Sequence, residues 1–242
     1  MKYKTAIVYQ LKKQLIFLAI FFAWWIVLGV IFPSIGVLVG GSDEVVSTDI
    51  LAPMMGFSVI ISFIATNTNF NFFIQNGLRR MNIFLVNLLT MLLTSVCMAI
   101  AVYLFVKIPL SRLQFTAFLL SKNIYYSEHM LVNILLLFVV LFFLSAIGLL
   151  LGTFNDMFKG IKKIIILLIV MSVPIIGSII IQLSGTAVQR GSLHLLGRLI
   201  GFSSVNGFVA APFIVTFLVC AAICLVLFFF LNQHHEVSRK GE

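Results

Sequence analysis

The residues best suited to bind a partner form one short stretch in an apolar part of the chain: Gln75, Asn76, Gly77, Leu78, Arg79, Arg80 and Met81. The Asn-Gly pair permits a tight turn, because both residues tolerate positive φ. Two arginines follow, and each guanidinium is a permanently charged fork that fits a carboxylate. Leu78 and Met81 are expected to fill an apolar slot beside them. The stretch predicts recognition of an acidic partner surface; alternatively, the arginines only orient the chain in a membrane.

Two further sets of semi-polar residues lie inside apolar runs, and each set falls on one face of a helix. They are Ser58, Ser62 and Thr66 in one run, and Met171, Pro174, Ser178 and Gln182 in another. Two interpretations stay open for the hydroxyl stripe: it lines a cleft, or it packs and hydrogen-bonds against a neighbouring helix. For the second face, Pro174 predicts a kink, which suits either a gate or a purely structural bend.

Other patterns predict contacts between helices. Asn87, Thr90 and Thr94 form a polar stripe, for which interhelical hydrogen bonding is the favoured interpretation. Gly148 and Gly152 form a G-x-x-x-G pattern, which lets two helix backbones approach closely.

Motifs for catalysis are missing from the sequence. It contains no G-x-x-x-x-G-K-[ST] phosphate-binding loop, no H-E-x-x-H and no G-x-S-x-G. No pair of acidic residues lies within an apolar run, and the adjacent histidines His234 and His235 are not convincing metal ligands. We therefore assign no catalytic residue, no metal site and no cofactor to this chain, and we do not expect an enzyme.

The composition requires a bilayer around the chain. Of 242 residues, 62% are hydrophobic and only 10% are charged, and a soluble domain with this composition would lack the polar surface to cover its core. A membrane-spanning helix needs about 20 mostly apolar residues. Six stretches qualify, so we predict an all-α, multi-pass membrane protein with six transmembrane helices: Leu15–Val39, Ile50–Phe72, Ile83–Val106, Leu131–Leu151, Ile164–Leu183 and Val209–Leu231.

The net charge of +9 is explained by membrane topology rather than by nucleic-acid binding. With the N-terminus inside, both termini are cytoplasmic and the basic residues follow the positive-inside rule. The predicted cytoplasmic side carries Lys2, Lys4, Lys12, Lys13, Arg79, Arg80, Lys159, Lys162, Lys163, Arg239 and Lys240, and the outside carries Lys107, Arg112, Lys122, Arg190 and Arg198.

The remaining segments flank or connect these spans. Residues 1–14 predict an amphipathic helix lying in the membrane interface, with a plain basic flank as the alternative. Residues 15–232 form the six-helix domain, and residues 107–129 form its longest outer loop, which could hold a short surface helix. Residues 184–208 are too polar to span, and predict a re-entrant pair of short helices before the last span. Residues 233–242 are expected to be a cytoplasmic tail.

This layout, together with the stretch from Gln75 to Met81, resembles the type-2 family of ABC transporter permeases. These are the membrane subunits of bacterial ATP-driven exporters. The likeness covers nearly the whole chain in layout. Permeases of this family often carry an Asn-Gly turn after the second span, then a small hydroxyl residue and a basic pair. Here Arg79 occupies the hydroxyl position, and Met81 occupies that of the second basic residue.

The resemblance implies a function and a set of partners. The loop at residues 69–82 would be a coupling helix seated in a groove of an ATPase, and the second and fifth spans, with the two faces named above, would line a translocation cleft. The partners would be two cytoplasmic ATP-binding subunits, which hold the ATP and Mg²⁺, and a second permease copy or sister permease. The complex would sit among the lipids of the bacterial cytoplasmic membrane. It would export hydrophobic or amphipathic cargo, such as peptides, toxins, antimicrobials or drugs.

Two alternatives belong to other classes. A non-enzymatic membrane sensor or assembly subunit would associate with no ATPase. Half of an ion-driven carrier would transport without ATP, although the apolar runs lack the buried ionisable group that such carriers usually contain.

Overall fold

The computed structural model describes residues 3–40, 46–108, 113–120, 124–125, 127–158, 161, 163, 168, 172, 176, 178–203 and 207–234. These residues are mostly helical. We number the helices α1 to α7 and the strands β1 to β4 along this described part of the chain.

The first helical unit is long and contains one irregular turn. Helix α1 spans Tyr3–Ile26, a π-helical turn covers Val27–Ile31, and α2 spans Phe32–Gly40. Within the π-helical turn, Gly29 lies so close to the Trp25 indole that an added Cβ would meet the ring at 2.9 Å. The ring is buried against Phe105 and Phe115. An indole that packs this tightly needs glycine opposite it.

Two long helices form an antiparallel hairpin after the first unit. Helix α3 spans Leu51–Gln75 and α4 spans Arg80–Val106. Only residues 76–79 separate them, so the connection is shorter than the predicted loop of residues 69–82. Short helix-to-helix connections of this kind keep consecutive helices side by side.

Helix α5, Met130–Met157, is the centre of the bundle. It packs against α3 most extensively and also against α4 and the last helix, α7, which spans Ala210–His234. The G-x-x-x-G prediction is confirmed: a Cβ on Gly148 would lie 2.4 Å from the Val59 carbonyl oxygen, and one on Gly152 would lie 2.8 Å from the Phe63 carbonyl oxygen. Gly148 faces Val59, and Gly152, one turn later, faces Phe63, which is also one turn later. Because the residue numbers rise in the same direction along the two helices, α3 and α5 run parallel.

Short strands connect the helices at the end of the bundle where α4 finishes. Strand β1, Val46–Asp49, pairs in parallel with β2, Leu113–Thr116, and a 3₁₀ turn follows at Phe118–Leu120. The sequence did not indicate this pairing. It buries Phe115 in the apolar core, and burial of an aromatic side chain offsets the cost of ordering a loop.

The segment before the last helix is only partly as expected. Helix α6 spans Thr186–Leu199, but the described residues that follow it do not form the predicted second short helix. The re-entrant path of residues 184–208 stays a prediction. In its place β3, Phe202–Ser203, and β4, Gly207–Phe208, form a small antiparallel hairpin. The rings of Phe202 and Phe208 contact each other across the hairpin. Such a cross-strand aromatic pair stabilises the hairpin.

Within the described part of the chain, four helices are long and apolar enough to cross a membrane. The first is α1 continued into the start of α2, and the other three are α4, α5 and α7. Helix α3 contains a shorter apolar helical stretch, Leu51–Thr66. In the fifth predicted span the described residues 168, 172, 176 and 178–183 are helical. The chain is thus a multi-pass helical membrane protein, and the full set of six spans stays a prediction.

Residues 3–14 belong to α1 and are not set apart from the first span. Their buried side chains are Ala6, Gln10 and Gln14, which continue toward Leu18 in four-residue steps. This face packs against α4, whereas Lys4 and Lys12 are exposed. Lys4 and Lys12 therefore point away from the bundle, whereas Lys13 is half-buried. The opposite face, from Ala6 to Leu18, contacts protein.

Candidate functional site: the bend between α3 and α4

The connection between α3 and α4, residues 75–81, is hereafter called the bend. Its backbone closes α3 with two reversed hydrogen bonds: the Gly77 N–H donates to the Ile74 carbonyl at 2.9 Å, and the Leu78 N–H donates to the Phe73 carbonyl at 3.0 Å. This pair of bonds defines a Schellman motif, which needs a left-handed residue at its centre. Gly77 supplies it with φ of 77°, so the predicted positive φ is confirmed.

Leu78 faces inward, contrary to its predicted contact with a partner. It is buried in an apolar cluster with Phe73, Ile83 and Val86 of α3 and α4, and with Ala6 at the start of α1. The Schellman motif commonly includes such a contact between the residue after the glycine and the helix's last turns. Leu78 therefore fixes the bend to the bundle.

The other side chains of the bend are exposed: Gln75, Asn76, Arg79, Arg80 and Met81. Met81 is 51% exposed and is the apolar group available beside the arginines. Asn76 uses its side-chain amide locally, where Nδ2 donates to the Phe72 carbonyl at 2.8 Å. The surface left for a partner is therefore two guanidinium groups next to one thioether, a combination suited to an acidic patch with an apolar notch.

The end of α7 supports the bend from a second side. Asn232 Nδ2 donates to the Arg80 carbonyl at 3.0 Å, and the Arg80 guanidinium donates to the Gln233 carbonyl. Asn232 is itself almost fully buried. Arg80 thus has a structural contact of its own, whereas the side chain of Arg79, at the N-cap position of α4, is exposed. The two arginines are not equivalent: Arg79 is the better probe of partner binding.

The predicted cleft residues of α3 lie in the α3–α5 contact. Ser58, Ser62 and Thr66 are all nearly fully buried. The Cβ atoms of Ser62 and Thr66 approach Gly148 and Gly152 of α5 closely enough to meet an added Cβ at 2.9 and 3.1 Å. In this arrangement the stripe has the packing role that the sequence left open, and its role as a cleft lining stays a prediction.

Hydrogen bonds within α3 satisfy two hydroxyls of this stripe locally. Ser58 Oγ donates to the Met55 carbonyl at 2.7 Å, and Thr66 Oγ1 donates to the Ser62 carbonyl at 3.1 Å. Small hydroxyl residues that bond to their own helix leave a smooth surface for close approach of another backbone. The hydroxyl stripe and the two glycines are therefore two halves of one interface.

Of the second predicted face, only Ser178 and Gln182 lie in the described residues, and both are exposed. The Gln182 carbonyl accepts a hydrogen bond from Gln189 Nε2 at 2.9 Å, which links this helical segment to α6. Met171 and Pro174 lie outside the described residues. The kink predicted at Pro174 therefore stays a prediction.

Sequence reasoning missed two buried glutamines that join α1 to α4. Gln10 Nε2 donates to Asn87 Oδ1 at 2.7 Å, and Thr94 Oγ1 donates to Gln14 Oε1 at 2.7 Å. The interhelical bonding predicted for the stripe of Asn87 and Thr94 is thereby confirmed. Gln10 and Gln14 are four residues apart, so they lie on the same side of a helix. This spacing was the sequence feature that could have identified them as a pair facing another helix.

Both pairs also show that α1 and α4 run parallel, so the start of α1 lies beside the bend. The ends of α3, α5 and α7 point to the same end of the bundle, because α3 and α5 are parallel and Asn232 contacts Arg80. Comparison of the chain with protein families, with curated proteins and with solved structures found no match. The class defined by the fold is a helical multi-pass membrane protein whose bend carries exposed basic residues.

Proposed function

We propose that this chain is the permease subunit of an ATP-driven exporter and moves hydrophobic or amphipathic cargo out of a bacterial cell. Two separate cytoplasmic subunits would hydrolyse the ATP, and a second permease copy or a sister permease would complete the pathway. In this proposal the chain has six spans with both termini in the cytoplasm. The observation that carries it is the bend: a rigid turn with an exposed basic surface, attached to several helices at once.

The attachments explain how a docked motor could move the membrane part. Leu78 connects the bend to α1, and Asn232 connects it to α7. Helix α3 is in turn locked to α5 through the glycine contact. A displacement of the bend, which also contains the start of α4, therefore reaches five helices without passing through a flexible loop. The free energy would come from a partner whose two nucleotide states bind the bend with different affinity.

The exposed helices offer a surface for a second permease subunit. Helices α1 and α7 leave large apolar side chains uncovered, including Trp24 and Phe32 on the first unit and Val219 and Phe230 on α7. Helices α4 and α5 bury far more of theirs. In a membrane these faces would contact lipid or another permease, and the cargo pathway would lie between two such subunits.

The test uses the protein purified in mild detergent from the membranes of its own host. We expect the wild type to retain a phosphate-loop ATPase, identified by mass spectrometry, with vanadate-sensitive ATP hydrolysis. Arg79→Glu should lower the retained ATPase at least tenfold, because reversing a charge at a docked interface costs more than the roughly 1.4 kcal/mol that a factor of ten represents.

Lys12→Glu is the matched control. It makes the same charge change at an exposed site of α1 outside the bend, and should retain the ATPase. If no ATPase accompanies the wild type, the sensor or assembly alternative replaces the proposal. If Arg79→Glu retains the ATPase as well as the wild type does, the bend is only a topology signal.

A further inference from the structure

Helix α6 is amphipathic, and its polar face is basic. Arg190, His194 and Arg198 recur every four residues and so lie on one side, whereas Leu195 and Leu199 lie on an adjoining side. These five side chains are exposed. A helix with this division belongs at the boundary between headgroups and acyl chains.

A cleft of about 740 Å³ separates α6 from the first two turns of α7. Helix α6 lines it with His194, Leu195 and Arg198, and α7 lines it with Pro212, Val215 and Thr216. One wall therefore offers hydrogen-bond donors and positive charge, and the other is almost entirely apolar. Its size is that of a small-molecule site.

Hydrogen bonds at the end of α6 hold the two walls in place. Thr216 Oγ1 of α7 donates to the Leu199 carbonyl at 2.9 Å, and the Tyr125 hydroxyl donates to the Ile200 carbonyl. The Val209 N–H donates to the Gly201 carbonyl at 2.8 Å. The cleft is thus set by fixed contacts rather than by a loose approach of two helices.

The apolar wall continues along α7 away from the cleft. Val215, Val219 and Ile223 recur every four residues, and all three are more than half exposed. Because α7 is long and apolar enough to cross a membrane, this track lies at acyl-chain depth. The basic residues lie beyond its start, at the end of the bundle opposite the bend, where headgroups are found.

We propose that the cleft between α6 and α7 binds an anionic membrane phospholipid. The headgroup phosphate accepts hydrogen bonds from the Arg198 guanidinium and the His194 imidazole. One acyl chain follows the track from Val215 to Ile223. This site is independent of the bend, and its occupation does not require an ATPase.

The two walls together select a lipid. A soluble phosphate compound would use Arg198 and His194 but gain nothing from the apolar track. A zwitterionic lipid would use the track but bring its own cation to the basic wall. Only an anionic amphiphile satisfies both walls, because a guanidinium pairs with phosphate oxygens while burial of each CH₂ contributes about 0.8 kcal/mol.

The experiment measures lipid binding to the delipidated full-length protein in detergent by native mass spectrometry. The probes are phosphatidylglycerol and phosphatidylcholine with the same acyl chains. We expect phosphatidylglycerol to bind at least fivefold more tightly. Arg198→Gln should weaken it about fivefold, the effect expected for one basic residue at an anionic headgroup. His194→Gln should also weaken the binding of phosphatidylglycerol.

Arg190→Gln is the matched control. It removes the same charge from the same exposed face of α6, but Arg190 does not line the cleft. It should change phosphatidylglycerol binding less than twofold. Ala211→Trp, which places a bulky ring in the cleft, should reduce binding of both lipids while leaving the elution volume unchanged.

Three results would overturn the proposal. Equal affinity for the two lipids would show that the basic wall does not contact the headgroup. Equal losses from Arg198→Gln and Arg190→Gln would show general attraction to a basic helix instead of a site. Competition by glycerol phosphate at the concentration of the lipid would assign the cleft to a soluble anion.

Discussion

Replacing Gly148 by alanine tests the parallel contact between α3 and α5 most directly. The new Cβ would lie 2.4 Å from the Val59 carbonyl oxygen, whereas carbon-to-oxygen contacts between helices are ordinarily about 3.3 to 3.6 Å. The helices must therefore separate locally by about 1 Å. Because the obstructing atom belongs to the backbone, no change of rotamer can relieve the clash.

The expected change in the free energy of unfolding is the difference between two opposing effects. Overfilling a packed interface costs about 1 to 3 kcal/mol, and a gap of 0.5 to 1 Å forfeits about a quarter to a half of the dispersion energy of the atoms along it. Alanine in a helix interior regains about 0.5 to 1 kcal/mol relative to glycine. We expect Gly148→Ala to lower the free energy of unfolding by about 1 to 2 kcal/mol.

Two further glycines complete a graded series. In Gly152→Ala the new Cβ would lie 2.8 Å from the Phe63 carbonyl oxygen, a smaller overlap than at Gly148. This variant should lower the free energy of unfolding by at most about 1 kcal/mol. Gly56 lies within α3 with no atom inside 4 Å of a new Cβ among the described residues. Gly56→Ala should therefore stabilise by about 0.5 to 1 kcal/mol.

The assay is unfolding by sodium dodecyl sulfate in mixed micelles, followed by circular dichroism and extrapolated to zero denaturant. The expected order of stability is Gly56→Ala, wild type, Gly152→Ala and Gly148→Ala, from highest to lowest. If Gly148→Ala matches or exceeds the wild type, α3 and α5 do not approach as closely as described. The buried position of the hydroxyl stripe would then be wrong as well.

Three other predictions concern separate regions. Gly77→Ala should cost about 1 kcal/mol of unfolding free energy, because alanine is disfavoured at positive φ, and Gly77→Asn should cost less; equal effects would contradict the Schellman geometry. For the α1–α4 contact, a double-mutant cycle of Gln14→Leu and Thr94→Val in the same assay should give a coupling of about 0.6 kcal/mol, and zero coupling would refute the bond. Burial raises the pKa of the Asp49 carboxyl, so the folded state holds this proton more tightly than the unfolded state does. Stability should therefore fall as the pH rises from the ordinary pKa of an aspartate, about 4, through the raised pKa of the folded state. Asp49→Asn should abolish this dependence, and an unchanged slope would exclude Asp49 as its source.

Long apolar runs could be located from the sequence because they depend on composition alone. The observed helix Met130–Met157 contains the predicted span Leu131–Leu151, and Arg80–Val106 contains Ile83–Val106. Local chemistry was predictable for the same reason. An Asn-Gly pair at the end of a helix specifies a left-handed turn without reference to the rest of the fold.

Contacts between distant segments could not be predicted in the same way. Nothing in the composition of Val46–Asp49 or Leu113–Thr116 specifies that they pair in parallel, because that register depends on where the preceding helices α2 and α4 end. The inward position of Leu78 likewise depends on Ala6, which comes from another helix. The hydroxyl stripe admitted two interpretations because a helix face can be identified from sequence, whereas the neighbour that covers it cannot.

The two hydrogen bonds that join Arg80 to Asn232 and Gln233 also have a consequence for the order in which the protein folds. These two residues are synthesised after all the other described helices, so the bend acquires its support from α7 only when that helix has been inserted. Until then, Arg80 lacks both contacts, and the turn depends on its own backbone hydrogen bonds and on the burial of Leu78. We therefore expect the basic surface of the bend to reach its final shape only after α7 has been inserted.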